Sequence, residues 1–238
     1  GSATPSIESW YFCERGFFVC NASESTPKTM SSSLLFEIKK GEAYLNGKKV
    51  TTDAIWIVPQ DGSAYFHTNW FQGSFVVKQY KNNWLLINRL QLEEYIYSVL
   101  RTESWPGWPL EVNKVFAIAC RSYVLAMIKK AHKKQLPYHV KNTNEHQTYR
   151  GIHNTLVHRM AVEQTKGMFL AFDGMPALAM FDCCCGGIIP AHIEDFDFKK
   201  APYLARSYAC NHCKKVKIYS WQKEFHINEV ITLLKDHL

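Results

Sequence analysis

Long apolar runs are the first thing this 238-residue chain lacks. No stretch approaches the roughly 18 consecutive apolar residues of a membrane-spanning helix, so no span is expected. Internal repeats and low-complexity tracts are missing too, which excludes a solenoid or a chain dominated by disorder. A formal charge of +7 favours anionic partners in general, such as nucleic acid, phospholipid head groups or acidic cell-wall glycan. No nucleic-acid-binding motif accompanies that charge, so nucleic acid is not an expected partner. The nearest thing to a basic run, KKAHKK at 129–134, closes a helix, where cations sit favourably against the helix dipole. The chain begins Gly1-Ser2 without an initiator Met, like a cleavage remnant, so the lack of a targeting leader says little about location.

What is present reads as a globular protein with a sizeable core. Apolar residues make up 47% and charged residues 21%, which excludes a disordered chain. Seven Trp and twelve Tyr supply flat apolar faces with polar edges, which suit sugars as well as cores. The expected class is α+β, with antiparallel sheet modules packed against a few helices, one of them long and buried. Three stretches are expected: an N-terminal strand and linker at 1–33, an antiparallel β module at 34–90, and a core with a C-terminal helix at 91–238.

In the first stretch, SWYFCERGFFVC reads as one or two edge strands before a polar linker. Cys13 and Cys20 flank an Arg-Gly turn there and suit either a hairpin disulfide or a pair of core thiols. In the β module, Asn46-Gly47, Asp61-Gly62 and Lys81-Asn82-Asn83 mark three hairpin turns. From Gln91 the period changes. QLEEYIYSVLRTE puts Leu92, Tyr95, Ile96, Val99 and Leu100 on one helical face, and Pro106 and Pro109 separate it from a second helix over about 109–134. A third helix lies near NTLVHRMAVEQTKG and ends at Gly167. Asp173-Gly174 turns a hairpin of buried strands, and SWQKEFHINEVITLLKDHL forms a terminal amphipathic helix capped at Asn228.

The chemistry concentrates at 102–127. Glu103 ends the first helix, a Pro/Gly/Trp loop follows, and the second helix is apolar or small almost all round yet carries Lys114 and Arg121, seven residues apart on one stripe. Two cations on a buried helix are costly unless anions meet them. The expectation is that Glu103, Lys114 and Arg121 face one cleft; the alternative for the two cations is structural ion pairing with Glu111 or Glu93. Gln147 and Tyr149 fit a substrate-lining strand, or a polar loop packed on the core.

Eight cysteines form a second constellation. Three are consecutive at 183–185, where neighbours bridge one another poorly, and Cys210 and Cys213 form a C-x-x-C pair. Cys183 and Cys185 would share one side of a strand, so these two with Cys210 and Cys213 are the first choice for a structural zinc. Cys184, His192 and His212 are substitutes. A disulfide between the two groups, or free thiols, are the alternatives.

Five ordered blocks over roughly 90–215 resemble a known family. ESWPGWPLEVNKVFAIACRSYVLAM, HQTYRG, AVEQTKGMFLAFDGMPALAMF, CCCGG and APYLARSYACNHC are similar, in that order, to stage II sporulation protein D (SpoIID) and related amidase-enhancer proteins. The resemblance implies an exported lytic transglycosylase of the periplasm or cell envelope that cuts peptidoglycan glycan strands, especially denuded ones, to 1,6-anhydromuramyl ends. It assigns catalysis to Glu103 and substrate contacts to Lys114, Arg121 and Tyr203, with no cofactor required. The rival reading is a non-catalytic glycan-binding protein that recruits or enhances a peptidoglycan amidase. The chain departs from the family pattern at Asp182, where a histidine is usual, at Ile189, where a threonine is usual, and at Cys185, where a serine commonly precedes Gly-Gly. The lost threonine hydroxyl puts one substrate contact in doubt.

Overall fold

A computed structural model describes residues 9–13, 17–21, 28–30, 33–66, 68–143, 145–182, 184–187, 199, 201–208, 210–228, 230 and 231. The chain divides into two compact units, Gly1–Ala179 and Met180–Leu238. Among the described residues the first unit is α+β, with antiparallel sheets followed by three helices.

Its strands in chain order are β1 (Ser9–Cys13), β2 (Phe17–Asn21), β3 (Lys28–Met30), β4 (Ser33–Lys39), β5 (Glu42–Leu45), β6 (Lys48–Lys49) and β7 (Ala54–Pro59). β8 (Ser63–Phe66), β9 (Asn69–Gln72), β10 (Ser74–Tyr80) and β11 (Asn83–Arg89) complete the module. Among the described residues they form two antiparallel sheets, ordered β6-β5-β4-β1-β8-β9 and β11-β10-β7-β2-β3. Alternation along the strands sends Leu34, Phe36, Ile55, Ile57, Phe75 and Val77 into one shared core.

Two of the three expected hairpin turns hold. Asn46-Gly47 joins β5 to β6 with both residues at positive φ (46° and 76°), the backbone a type I′ turn needs. Lys81-Asn82 joins β10 to β11, with Tyr80 paired to Asn83. Asp61-Gly62 does not close a hairpin. β7 and β8 belong to different sheets, so this turn passes the chain from one sheet to the other. The first stretch also differs from expectation. β1 pairs with both β4 and β8, and β2 with both β3 and β7, so neither is an edge strand. The side chains of Cys13 and Cys20, and with them the question of a bridge, lie outside what is described.

The helices are α1 (Leu92–Glu103), α2 (Leu110–Lys133) and α3 (Leu156–Gln164). α1 buries Tyr95, Ile96, Val99 and Leu100 against Ala117, Cys120 and Val124 of α2 and Ala161 and Val162 of α3. Glu93 and Glu94 in the first turn of α1, and Lys130, His132 and Lys133 in the last turn of α2, complement the helix dipoles. α2 stops where Gln135 takes a left-handed conformation (φ 52°).

Beyond α3, β12 (Ala171–Phe172) and β13 (Met175–Pro176) make the expected hairpin around Asp173-Gly174. They are two-residue, largely exposed strands rather than buried ones. In the second unit Pro202–Leu204 form one 3₁₀ turn. Helical backbone appears at 227–228 and 230–231, and residues 221–226, expected in the same helix, are irregular. No helix among the described residues is long and apolar enough to cross a membrane.

Candidate active site

α1 carries a row of polar side chains that clasp the segment 147–153. Tyr95 donates to Gln147 Oε1 (3.0 Å), Ser98 to the Gly151 carbonyl (2.5 Å), Tyr97 to the His153 carbonyl (2.6 Å) and Thr102 to the Thr148 carbonyl (2.6 Å). Gly151 is required where this segment meets β9. It sits at φ 78°, and a Cβ there would lie 2.2 Å from the Trp70 carbonyl oxygen. The clasp ends at Glu103, the last residue of α1, whose Oε1 accepts the Thr148 N–H at 3.0 Å. Burial raises the Glu103 carboxyl above the ordinary carboxylate range, and the Thr148 N–H opposes that rise.

Immediately beyond Glu103 the chain turns through Ser104-Trp105-Pro106-Gly107-Trp108. Asn113, fully buried at the start of α2, organises this loop: its Nδ2 lies within bonding distance of the carbonyls of Trp108 (3.1 Å), Pro109 (3.3 Å) and Trp105 (3.4 Å). Ser104 Oγ lies 2.9 Å from Asn113 Oδ1 and 3.2 Å from His158 Nε2. The indoles of Trp105 and Trp108 stand edge to face at 6.4 Å and remain 59% and 40% exposed. The loop that follows this partly buried carboxyl thus presents two exposed aromatic faces free to stack on a ligand.

The cations do not join Glu103. Lys114 pairs with Glu111 on its own helix at 2.6 Å. Arg121 is 1% exposed and held in a fork by Glu93, with Nη2 to Oε2 at 2.6 Å and Nε to Oε1 at 3.1 Å, while Nη1 donates to the Met168 carbonyl at 2.8 Å. The expected common cleft is therefore corrected. Both cations meet the structural partners given as the alternative: buried Arg121 needs a carboxylate to offset its desolvation, and Lys114 lies three residues from Glu111 on the same helix.

Gln147 and Tyr149 are likewise placed as core groups rather than substrate contacts. Gln147 is 2% exposed, bonded to Tyr95 and, at 3.4 Å, to the Cys120 carbonyl. Tyr149 stacks on Tyr95 and donates to Asn88 Oδ1 at 2.6 Å. They position the Thr148 amide that holds Glu103. Sequence reasoning misses Asn113 and His158, since a lone polar residue in a helix carries no local sign of what it will meet.

Residues 80–172 match the family model described as SpoIID, Stage II sporulation protein. The chain carries a SpoIID segment. An uncharacterized protein of Brachyspira hyodysenteriae is 30% identical over 190 residues, which is 78% of this chain and 50% of that protein. The chain thus spans about half the length of this curated relative. No solved structure matches it. The matched segment points to a cell-wall-related role. The SpoIID segment holds Glu103, Lys114, Arg121, Gln147 and Tyr149, whereas Tyr203 and the cysteines at 183–185, 210 and 213 lie beyond it.

Those remaining residues belong to the second unit. Tyr203 sits in the 3₁₀ turn and is exposed. The Sγ atoms of Cys185, Cys210 and Cys213 all lie within 4.8 Å of one another. The Gly187 N–H, and after it the Arg206 guanidinium, pull the Cys185 thiol below its ordinary range against the effect of burial. Cys183, the fourth expected ligand, lies outside the described residues, as do His192 and Ile189. Cys184 and His212 remain within the described part, and Cys184 is a free thiol.

Proposed function

We propose that this protein is a peptidoglycan lytic transglycosylase in which Glu103 serves as both acid and base. The observation that carries the reading is the Glu103 carboxyl itself, raised by burial, fixed by one backbone amide and followed in the chain by a loop with two exposed indoles, all within the SpoIID segment. Protonated Glu103 donates to the oxygen of the bond between N-acetylmuramic acid and N-acetylglucosamine as that bond breaks. The resulting carboxylate takes the proton of the muramyl C6 hydroxyl as its oxygen closes on C1. One carboxyl suffices because the attacking hydroxyl belongs to the substrate, unlike hydrolysis with two carboxylates. Trp105 and Trp108 would stack on sugar faces, and Lys114 would leave Glu111 to meet a lactyl carboxylate. Tyr203 is retained as a proposed substrate contact.

Denuded glycan strands incubated with the protein and analysed by mass spectrometry test this. Anhydromuramyl ends, absent with Glu103→Gln, are the expected result. Glycan capture by pull-down without any cleavage would sink the enzymatic reading and favour a binder that works with an amidase. Substrate preference for denuded strands, and work outside the cytoplasmic membrane, belong to the same proposal.

We further propose that Cys185, Cys210 and Cys213 hold a structural zinc, with a fourth N or S ligand from Cys183, Cys184 or His212. Three sulfurs within 4.8 Å of one another approach the spacing of a tetrahedral thiolate site, in which Zn–S bonds are about 2.3 Å. Such a site contributes folding energy and leaves the Glu103 chemistry untouched. Metal analysis of the purified protein should find about one zinc per chain, lost in Cys210→Ser. A metal-free protein of undiminished thermal stability would refute it.

A further inference from the structure

A cavity of about 990 Å³ opens in the first unit between the outer region of the five-stranded sheet, α2 and the loop 137–142. That volume is at the top of the roughly 300–1,000 Å³ range of small-molecule sites. Neither Glu103 nor Lys114 lines it. The strand register explains its wall: Trp56, Val76 and Ile87 stand directly across from one another on β7, β10 and β11, so they share one face. Val124 and Ile128 of α2 complete an apolar lining.

The charge of the lining has one sign. Among the described residues it includes Lys78, Arg89, Lys141 and His139 and no Asp or Glu. Lys78 and Lys141 have carboxylate partners in Asp53 (3.9 Å) and Glu145 (2.7 Å). Arg89 has none among the described residues, and its guanidinium lies over the Trp56 ring at 4.4 Å. His139 is held below the ordinary histidine range by burial first, then by His132 and Arg89, which places Arg89 and the imidazole in one electropositive region.

Several neutral polar groups of the wall are already committed to one another. Asn88 Nδ2 donates to the carbonyls of Gln72 and Ser74 while its Oδ1 accepts from Tyr149. Asn142 Oδ1 accepts the Tyr149 N–H, and Gln147 is bonded to Tyr95 and the Cys120 carbonyl. A sugar, which needs a hydrogen bond for each buried hydroxyl, would find few partners here. An aliphatic chain needs none. We infer that this cavity binds an anionic amphiphile, its apolar chain against Val76, Ile87 and Ile128 and its carboxylate or phosphate at Arg89. This site is separate from the glycan site and does not depend on it.

Monomeric cis-parinaric acid, a fluorescent long-chain carboxylate, titrated into the intact chain tests the inference. Saturable binding at one site, displaced by dodecyl phosphate, is expected. The methyl ester and dodecyltrimethylammonium should bind at least about tenfold more weakly, as should parinarate to Arg89→Gln and Arg89→Glu. Ile87→Trp, which fills the cavity, should abolish binding while far-UV circular dichroism stays unchanged, and Val76→Phe serves if that variant misfolds. Co-sedimentation with phosphatidylglycerol vesicles, lost in Arg89→Glu, would assign the same chemistry to a membrane lipid. Absence of saturable binding to monomer and vesicle alike, or equal affinity for the ester and for Arg89→Glu, would overturn the proposal.

Discussion

Arg121 and Glu93 form a two-pronged ion pair between the middle of α2 and the first turn of α1, at 2.6 Å and 3.1 Å. Glu93 Oε1 also accepts the Gly167 N–H at 3.3 Å, and Arg121 holds the Met168 carbonyl, so the pair ties both helices to the segment that leaves α3. Removing one member of such a pair leaves an uncompensated buried charge. Glu93→Gln should therefore destabilise the protein by about 3 kcal/mol in urea unfolding. The double variant with Arg121→Met should lose less than the sum of the single losses. Unchanged stability with weakened glycan binding would instead make Arg121 a substrate group.

The pH dependence of Glu103 follows from its direction of shift. A folded-state value above the unfolded one means that the native state binds more protons between the two, so stability falls as pH rises from about 4.3 through the folded value. Activity that needs the protonated acid should fall across the same upper limit. Glu103→Gln should flatten this part of the stability profile, measured by thermal melting at a series of pH values, while abolishing cleavage. A stability slope that survives the substitution would assign the titration to another group.

Much of this arrangement is legible in the order of the residues alone. The boundaries of α1 and α2 follow from a 3.6-residue period punctuated by Pro106 and Pro109, and Asn46-Gly47 and Lys81-Asn82 are local signals for local turns. What stays hidden is non-local. The runs SWYFC and FFVCN carry no mark of which strands flank them, and an Asp-Gly turn looks the same whether it closes a hairpin or passes between sheets. That Lys114 and Arg121 need anions is plain from a buried helix, but Glu93 lies 28 residues before Arg121, and only the packing of α1 on α2 selects it over Glu103. Glu103 is legible as a helix end followed at once by the Trp/Pro/Gly loop, whereas a catalytic role for it comes only from the resemblance of that stretch to SpoIID.

His158 should set the acid limit of stability. It is 1% exposed, its Nδ1 has no partner among the described residues, and burial first, then His153, lowers its pKa to about 4. The unfolded chain therefore takes up a proton near pH 6.5 that the folded protein refuses until about pH 4. Stability present above pH 6.5 is lost progressively over that window, by at most about 3 kcal/mol. His158→Leu should remove this slope in urea titrations at about pH 7 and about pH 4.5, either end of the window, at some cost to the Ser104 contact. An unaltered acid slope would transfer the effect to another group.

Gly107 is a lever on the two indoles. Its φ lies outside the left-handed region, so alanine meets no strain of that kind, yet an added Cβ would lie 2.6 Å from the Trp105 ring. That ring is more than half exposed and can swing into solvent, whereas Trp108 is tilted against Phe116 at 5.4 Å. Gly107→Ala should therefore separate the pair, forfeiting an edge-to-face contact of about 1 kcal/mol, with little effect on the folded core. Tryptophan fluorescence should report the displaced indole, the melting temperature should barely move, and glycan affinity should fall several-fold because one sugar-stacking face has left its position. If the fluorescence shifts and glycan affinity does not, the indole pair is not a glycan platform. The reading of Glu103 as an acid would then rest on its burial alone.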